Sequence, residues 1–377
     1  MDPLITIPAR RVALAHDWLT GMRGGEMVLM ELCKLFPSAD LYTIVHIPGT
    51  VSPLIEQRRV FESAIVKLPG GRRKFRSYLP LFPWAVEGFD MRGYDLIVSS
   101  SHCAIKGLIP SPGALHLSYL HTPMRYVWDM RADYLGSHKI GPVARAVAGL
   151  AAHYLRNWDV VASSRVDQFV ANSNHVKNRI WKYYRRTSKV IYPPVDIDQY
   201  NIGSRSGDFF LTVSALVPYK RVDLAVEACS KLGVRLVVVG DGPERQNLQR
   251  MAKGKKVEFV GWQSPEELIK LYQNAIALLF PGEEDFGITP VEAQACGTPV
   301  IAFGQGGALD TVITEGENRS GLFFHEQTPE AMIELMKDFD LSHFNSEVVR
   351  QNALRFSRDT FRTRMAELIN WSWDNVK

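Results

Sequence analysis

Phe209-Phe210-Leu211-Thr212-Val213 leads through an amphipathic segment, 223–232, to Arg235-Leu236-Val237-Val238-Val239. The alternation continues, with apolar runs at 257–260, 276–280 and 299–303 and helical patterns at 244–252, 265–274, from Pro290 and after Gly307. Strands this short and apolar, separated by helices, belong to a parallel sheet covered on both faces. The same grammar extends backwards through runs at 12–15, 95–99, 115–119 and 169–171, with helical patterns at 26–35, 145–154 and 176–184. Tyr192-Pro193-Pro194-Val195-Asp196 interrupts it, because proline restricts both itself and the preceding residue. A chain of 377 residues exceeds the roughly 250–300 at which single cores stop growing. The expected fold is therefore α/β, with two doubly wound Rossmann-like domains. The segment 359–373 reads as a helix whose Trp371 and Trp373 argue for docking onto a domain.

Composition narrows the class. Hydrophobic residues make up 46% and charged residues 22%, which excludes wholesale disorder. Four cysteines, Cys33, Cys103, Cys229 and Cys296, show no Cys-x-x-Cys pair and fit a reducing cytoplasm. No apolar run reaches the roughly 18 residues of a membrane span, and Met1–Pro8 lacks a signal-peptide pattern. The net charge of +4 is too weak to argue for nucleic acid, and no recognition module accompanies it. Lys67, Arg72, Arg73, Lys74 and Arg76 are nevertheless interleaved with Phe75, Tyr78, Phe82 and Trp84 without an acid. Such a stretch suits an anionic membrane surface or, equally, a solvated face with its aromatics turned into the core.

In open parallel sheets ligands bind beyond the carboxyl ends of the strands, so the loops there are the candidates, and a cleft between the two domains is the expected site. His16 and Asp17 close the first apolar run, and Gly24-Gly25-Glu26 follows as an amide-rich turn or a plain one. His121, Arg125 and Tyr126 follow the run 115–119. Lys220-Arg221 follows the first strand of the second half, either as a diphosphate grip or as a solvated pair. Phe280-Pro281-Gly282-Glu283-Glu284-Asp285-Phe286-Gly287-Ile288-Thr289-Pro290-Val291-Glu292 is the strongest signal. Thr289, Pro290 and Glu292 spell a capping box, with Gly297 as the helix stop. Capping does not explain Glu283, Glu284 and Asp285, which a sugar's hydroxyls would satisfy; a metal would do so too, but no suitably spaced ligands accompany them. Gly304-Gln305-Gly306-Gly307 adds another amide cradle. Cations, carboxylates and glycine loops together suit a sugar joined to a nucleoside diphosphate.

These residues resemble the family 4 retaining glycosyltransferases of GT-B fold over nearly the whole chain. The Glu-x7-Glu motif corresponds to Glu284 and Glu292, followed by Ala293-Gln294-Ala295-Cys296-Gly297-Thr298-Pro299-Val300. Gly24-Gly25-Glu26, His121, Asn172-Ser173 and 193–196 resemble family counterparts, and Tyr219–Asp223 with Gly306–Leu309 resemble the mannosyltransferase-like members. The resemblance implies an N-terminal acceptor domain over 1–197, a nucleotide-sugar domain over 198–357, and a helix over 358–377 that returns to the first domain. It implies that Lys220, with Arg221, binds the diphosphate, and that Glu292 binds the ribose. Glu284 would hold the donor sugar, and the amides of Phe286, Gly287 and Ile288 with Gly24, Gly25, Gly306 and Gly307 would approach the donor. His121 would lie near the reacting carbon, and no metal or cofactor is expected. The chain departs from the family at Ala215, five positions before Lys220, where an arginine is usual.

The resulting expectation is a cytoplasmic enzyme, peripheral on the inner membrane surface through 67–84. It would move a hexose, mannose from GDP-mannose, onto a polyprenol-linked or other glycan acceptor in surface polysaccharide synthesis. His16, Asp17, Arg125 and Tyr126 are the acceptor-side candidates. The competing readings are a UDP-sugar transferase, a nucleotide-sugar hydrolase or epimerase, and a non-catalytic nucleotide-sugar or anionic-lipid binding protein.

Overall fold

The computed structural model describes residues 5–128 and 141–376, so part of the segment read for a signal peptide lies outside it. The chain divides into two units, Met1–Pro194 with Asp359–Lys377, and Val195–Arg358. The first division thus falls after Pro194, where the sequence reading set 197.

The first unit holds β1 (Val12–Leu19), β2 (Asp40–His46), β3 (Val60–Glu62), β4 (Leu96–Ser101), β5 (Leu115–Leu120), β6 (Gln168–Ala171) and β7 (Ser188–Val190). Their order is β3-β2-β1-β4-β5-β6-β7, all parallel. Its main helices are α1 (Gly24–Leu35), α2 (Pro142–Ser163) and α3 (Asn174–Tyr184). The second unit holds β8 (Phe209–Val213), β9 (Arg235–Val239), β10 (Val257–Gly261), β11 (Leu278–Phe280), β12 (Val300–Phe303) and β13 (Gly321–Phe324). These run parallel in the order β10-β9-β8-β11-β12-β13. Its helices include α4 (Val222–Leu232), α5 (Arg245–Met251), α6 (Pro265–Asn274), α7 (Ile288–Ala295), α8 (Pro329–Lys337) and α9 (Ser346–Leu354). The doubly wound architecture expected from the alternation is the one observed.

Burial explains which strands the sequence exposed. β4 and β5 are buried at every position, and β1 at all but its first, so both faces of the sheet are covered there, with polar side chains such as His16, Asp17 and Ser100 buried among the apolar ones. The edges β3 and β10 are mostly half-buried and carry mixed sequences. β2, β3, β7, β13, α8 and α9 were not singled out from sequence, being short, at sheet edges or mixed in polarity. The C-terminal helix α10 (Arg358–Asn375) buries Phe361, Met365 and Ile369 among Leu14, Leu117 and Tyr119 of the first sheet. Arg362 pairs with Glu31 of α1, a carboxylate without exposure. Trp373 packs on this core, whereas Trp371 keeps 47% of its surface and is covered by Lys189, 5.9 Å from its ring centre. Among the described residues no helix is long and apolar enough to cross a membrane.

Candidate active site

Strand order selects the loops. In the second sheet β8 lies between β9 and β11, so chain direction across the sheet reverses between β8 and β11, where such sheets bind ligands. After β8 the chain turns through Pro218–Lys220, and Arg221 takes a left-handed φ of 50° before α4 starts. After β11 comes the acidic loop. Its Glu284 carboxylate pairs with the Lys220 ammonium, the two side chains being 20% and 16% exposed. The loop after β12 closes the third side, since the Gly307 N–H donates to the Glu284 carbonyl at 2.8 Å. A Cβ on Gly307 would stand 2.3 Å from Phe286 Cα, so only glycine allows the two loops to approach this closely.

The capping reading of this loop is corrected. Helix α7 begins at Ile288 with Gly287 as N-cap and no side-chain cap, so neither Thr289 nor Glu292 serves there. Its first N–H groups, beside Phe286 and Gly287, have no side-chain partner at the cap. Glu292, half-buried, instead accepts a hydrogen bond from the Tyr272 hydroxyl at 2.8 Å. Burial raises its pKa, opposed by the hydroxyls of Tyr272 and Tyr200. Buried Gln294, bonded to the Pro290 and Thr311 carbonyls and to Asn352 of α9, holds α7 in place. Arg221 is a second correction. Its guanidinium is taken by Asp223 at 3.1 Å and Gln327 at 3.2 Å, while Gln327 donates to the Pro281 carbonyl. It braces the acidic loop and does not replace the cation missing at the exposed Ala215.

In the first sheet the reversal falls between β1 and β4, and His16 stands in register with Ser100. His16 and Asp17 lie inside β1, fully buried, and do not close it. Asp17 accepts backbone N–H groups from His102, Cys103, Ala104 and Ile105 at 2.6–2.9 Å. Burial pushes its pKa up, but His102 and these N–H groups outweigh it and hold the carboxyl below its ordinary value. Asp17 therefore shapes the loop after β4 and presents no carboxylate to an acceptor, which corrects its expected role. Its Oδ2 also lies 3.4 Å from His102 Nδ1.

Ser100 Oγ joins two imidazoles, His16 Nδ1 at 3.1 Å and His121 Nε2 at 2.8 Å. His102 stands 6.3 Å from His121 and 5.7 Å from His16, ring centre to ring centre. Burial first, then the neighbouring His102 and His16, drives the pKa of His121 well below its ordinary value, so it is neutral at physiological pH. Gly25 roofs this cluster. A Cβ there would meet His16 Cε1 at 3.1 Å and His121 Nε2 at 3.7 Å. Gly24, Gly25 and Glu26 open α1, and His121 follows β5 directly. Arg125 and Tyr126 sit on the short helix Arg125–Trp128, half-buried. His102, Ser100, Tyr272 and Tyr200 were missed from sequence. Ser99-Ser100-Ser101-His102, a polar break after apolar Leu96-Ile97-Val98, was the available signal.

The basic-aromatic stretch divides. Phe75 and Phe82 enter the core, and Arg72 pairs with Glu62 at 2.6 Å, whereas Arg73, Lys74, Arg76 and Trp84 are exposed. Among the described residues no group of three or more His, Cys, Asp or Glu could hold a metal ion.

Residues 22–199 match the description Glycosyltransferase Family 4, and 201–353 match Glycosyl transferases group 1. An uncharacterized glycosyltransferase of Methanocaldococcus jannaschii is 28% identical over 52% of this chain, a match spanning 57% of that protein. The D-inositol 3-phosphate glycosyltransferase of Corynebacterium urealyticum is 26% identical over 93% of this chain and 91% of its own. Anabaena HepE in complex with UDP-glucose superposes with a TM-score of 0.68 at 21% identity, covering 96% of this chain and 99% of that one. The chain carries a glycosyltransferase family 4 domain followed by a glycosyl transferases group 1 domain, the two Rossmann-like halves of a GT-B glycosyltransferase.

Proposed function

We propose that this protein is a retaining hexosyltransferase that moves mannose from GDP-mannose onto a lipid-linked or other glycan acceptor in surface polysaccharide synthesis. The supporting observation is the Lys220–Glu284 pair at the β8/β11 reversal, beside the N-terminus of α7. A nucleotide sugar offers both groups a better partner than each other. Lys220 takes the diphosphate, and Glu284 accepts from the sugar hydroxyls. Glu292, on α7, accepts from the ribose hydroxyls. The amides of Phe286, Gly287 and Ile288, with Gly306 and Gly307, bind the phosphates, and Gly24 and Gly25 are further donor-binding residues.

As the glycosidic bond to the diphosphate breaks, positive charge develops on the anomeric carbon and negative charge on the leaving phosphate. Lys220 and fixed amides stabilise the latter without reorganisation. Among the described residues no carboxylate stands out as a covalent nucleophile, so the acceptor hydroxyl attacks on the departing face and its proton passes to the leaving phosphate. Neutral His121 bonds to the donor sugar or positions the acceptor, with His16, Arg125 and Tyr126 on the acceptor side. No metal is required, and the enzyme works at the cytoplasmic membrane surface.

The test is incubation with GDP-mannose and a donor panel, lipid-linked acceptors, and chelator present or absent. Transfer with retained anomeric configuration, undiminished by chelator, is the expected result. Glu284→Gln abolishes it with an unchanged melting curve; free sugar as sole product, or binding without turnover, overturns the reading. A UDP-sugar donor is the second reading, favoured by the fold shared with the UDP-glucose complex of HepE. The same panel separates the two.

A further inference from the structure

A cavity of about 340 Å³ opens in the first unit, walled by Trp18, Phe82, Tyr126, Ala151 and Leu155, with Arg76 the charged residue on its lining. Trp18, Phe82 and Leu155 expose 6% or less of their surface, so the chamber is deep and apolar, while Arg76 is exposed at its rim. Arg76 lies 5.8 Å from the Trp18 ring centre and 5.1 Å from that of Phe75, and no described acid pairs with it. Arg73 and Lys74 precede it, also exposed. On α2, Val147, Leu150 and Tyr154 are 60%, 72% and 50% exposed at the i, i+3, i+7 spacing of one face. Leu81 and Trp84 add exposed apolar surface next to the lining residues Leu79, Pro80 and Phe82. Contiguous exposed apolar surface with a cationic rim marks a ligand or lipid site rather than ordinary solvated protein.

We propose that this cavity is the subsite for the hydrocarbon chain of an anionic lipid acceptor, whose phosphate meets Arg76 while its chain passes between Trp18 and α2. Size and polarity fit a single chain, since ligand pockets of about 300–1,000 Å³ are mostly apolar with few placed polar groups. Position fits as well. The Trp18 ring stands edge-on to His102 at 4.3 Å, so the chamber and the histidine cluster share a wall. This deepens the transferase reading by naming the acceptor's class, and that naming rests on the reading; the binding itself does not.

The experiment is calorimetric titration of the full chain with decyl phosphate below its micelle concentration, beside decanol and inorganic phosphate. Decyl phosphate binds at least tenfold more tightly than either. Ala151→Trp, which fills the chamber, lowers its affinity at least tenfold, and Arg76→Glu reduces it to the level of decanol. A photoreactive alkyl phosphate labels Trp18, Tyr126 or Leu155 in the unaltered protein, which keeps the test valid should Ala151→Trp fail to fold. Equal binding by Ala151→Trp and the parent, inorganic phosphate binding as tightly as decyl phosphate, or labelling elsewhere overturns the proposal. Decyl phosphate binding without any sugar transfer leaves the chamber standing and removes the transferase reading.

Discussion

The two units place chemistry at equivalent points of equivalent sheets, yet with opposite electrostatics. At the β8/β11 reversal, Lys220 and Glu284 carry full charges, partly open to solvent and held by each other. At the β1/β4 reversal, Ser100 ties His16 to His121, burial keeps His121 uncharged, Asp17 is spent on four backbone N–H groups, and the buried Glu26 carboxylate lies 3.8 Å from His16 Nε2. The difference is instructive. A charged partly open pair is available to exchange partners with an anionic ligand, whereas a buried network whose members already satisfy one another is costly to disturb and positions groups with little freedom.

Removing charge from the second unit is expected to have the largest effect. Lys220→Ala lowers the transfer rate by about 10²–10³-fold, the loss typical of a single donor to developing negative charge. Its melting temperature stays close to the parent's, because a partly exposed pair contributes little, about 0–1 kcal/mol. A large drop in melting temperature would make this pair structural and erase the contrast. Ser100→Ala tests the other side. It leaves buried His16 Nδ1 and the adjoining His121 Nε2 without their shared partner, a cost of about 1–3 kcal/mol read by denaturant unfolding. An unchanged midpoint would show that the hydroxyl does not organise the cluster.

The pH dependence of stability follows from the same contrast. Burial lowers the pKa of His102 and His121 from their ordinary value of 6.5, and takes His116 to about 4. Below pH 6.5 the unfolded chain binds protons on these imidazoles that the folded chain refuses. The contribution of these imidazoles is therefore complete above pH 6.5 and is lost as pH falls from 6.5 towards 4. Unfolding midpoints across that range measure the slope; His116→Asn flattens it, and Lys220→Ala leaves it as it was. The smallest effect is expected from Tyr272→Phe. Losing that hydroxyl removes a donor to Glu292 and raises its pKa further. Nucleoside diphosphate affinity then falls a few-fold, more at pH 6 than at pH 8, as binding titrations will show; equal losses at both would place Glu292 away from the nucleoside.

Legibility differed between the units for a physical reason. In the second, the acidic loop and the glycine loop are contiguous stretches, and strand-tip position follows from the apolar runs before them, so the Lys220-Arg221 pair and the carboxylates at 283–285 could be named from position, and the family resemblance then singled out Lys220 and Glu284. What Arg221 does could not, because its partner Gln327 is over a hundred residues away. Glu292 was misread as a cap for a similar reason: the Thr-x-x-Glu pattern is local, whereas Tyr272 arrives from α6. In the first unit His16 lies inside β1, and His102 and His121 follow the ends of β4 and β5; the order β1-β4-β5 brings the three side by side.

Hydrophobic periodicity and turn residues are local properties, and they sufficed for the doubly wound halves and the loops that carry the charged groups, while short motifs such as Glu284-x7-Glu292 carried the resemblance to family 4 glycosyltransferases. Which side chains pair, which histidines lose their charge and where an apolar chamber opens beside Trp18 depend on strand order and on burial. Those are settled only when distant segments pack, since desolvation and hydrogen-bond geometry belong to the assembled core and not to any stretch of the chain.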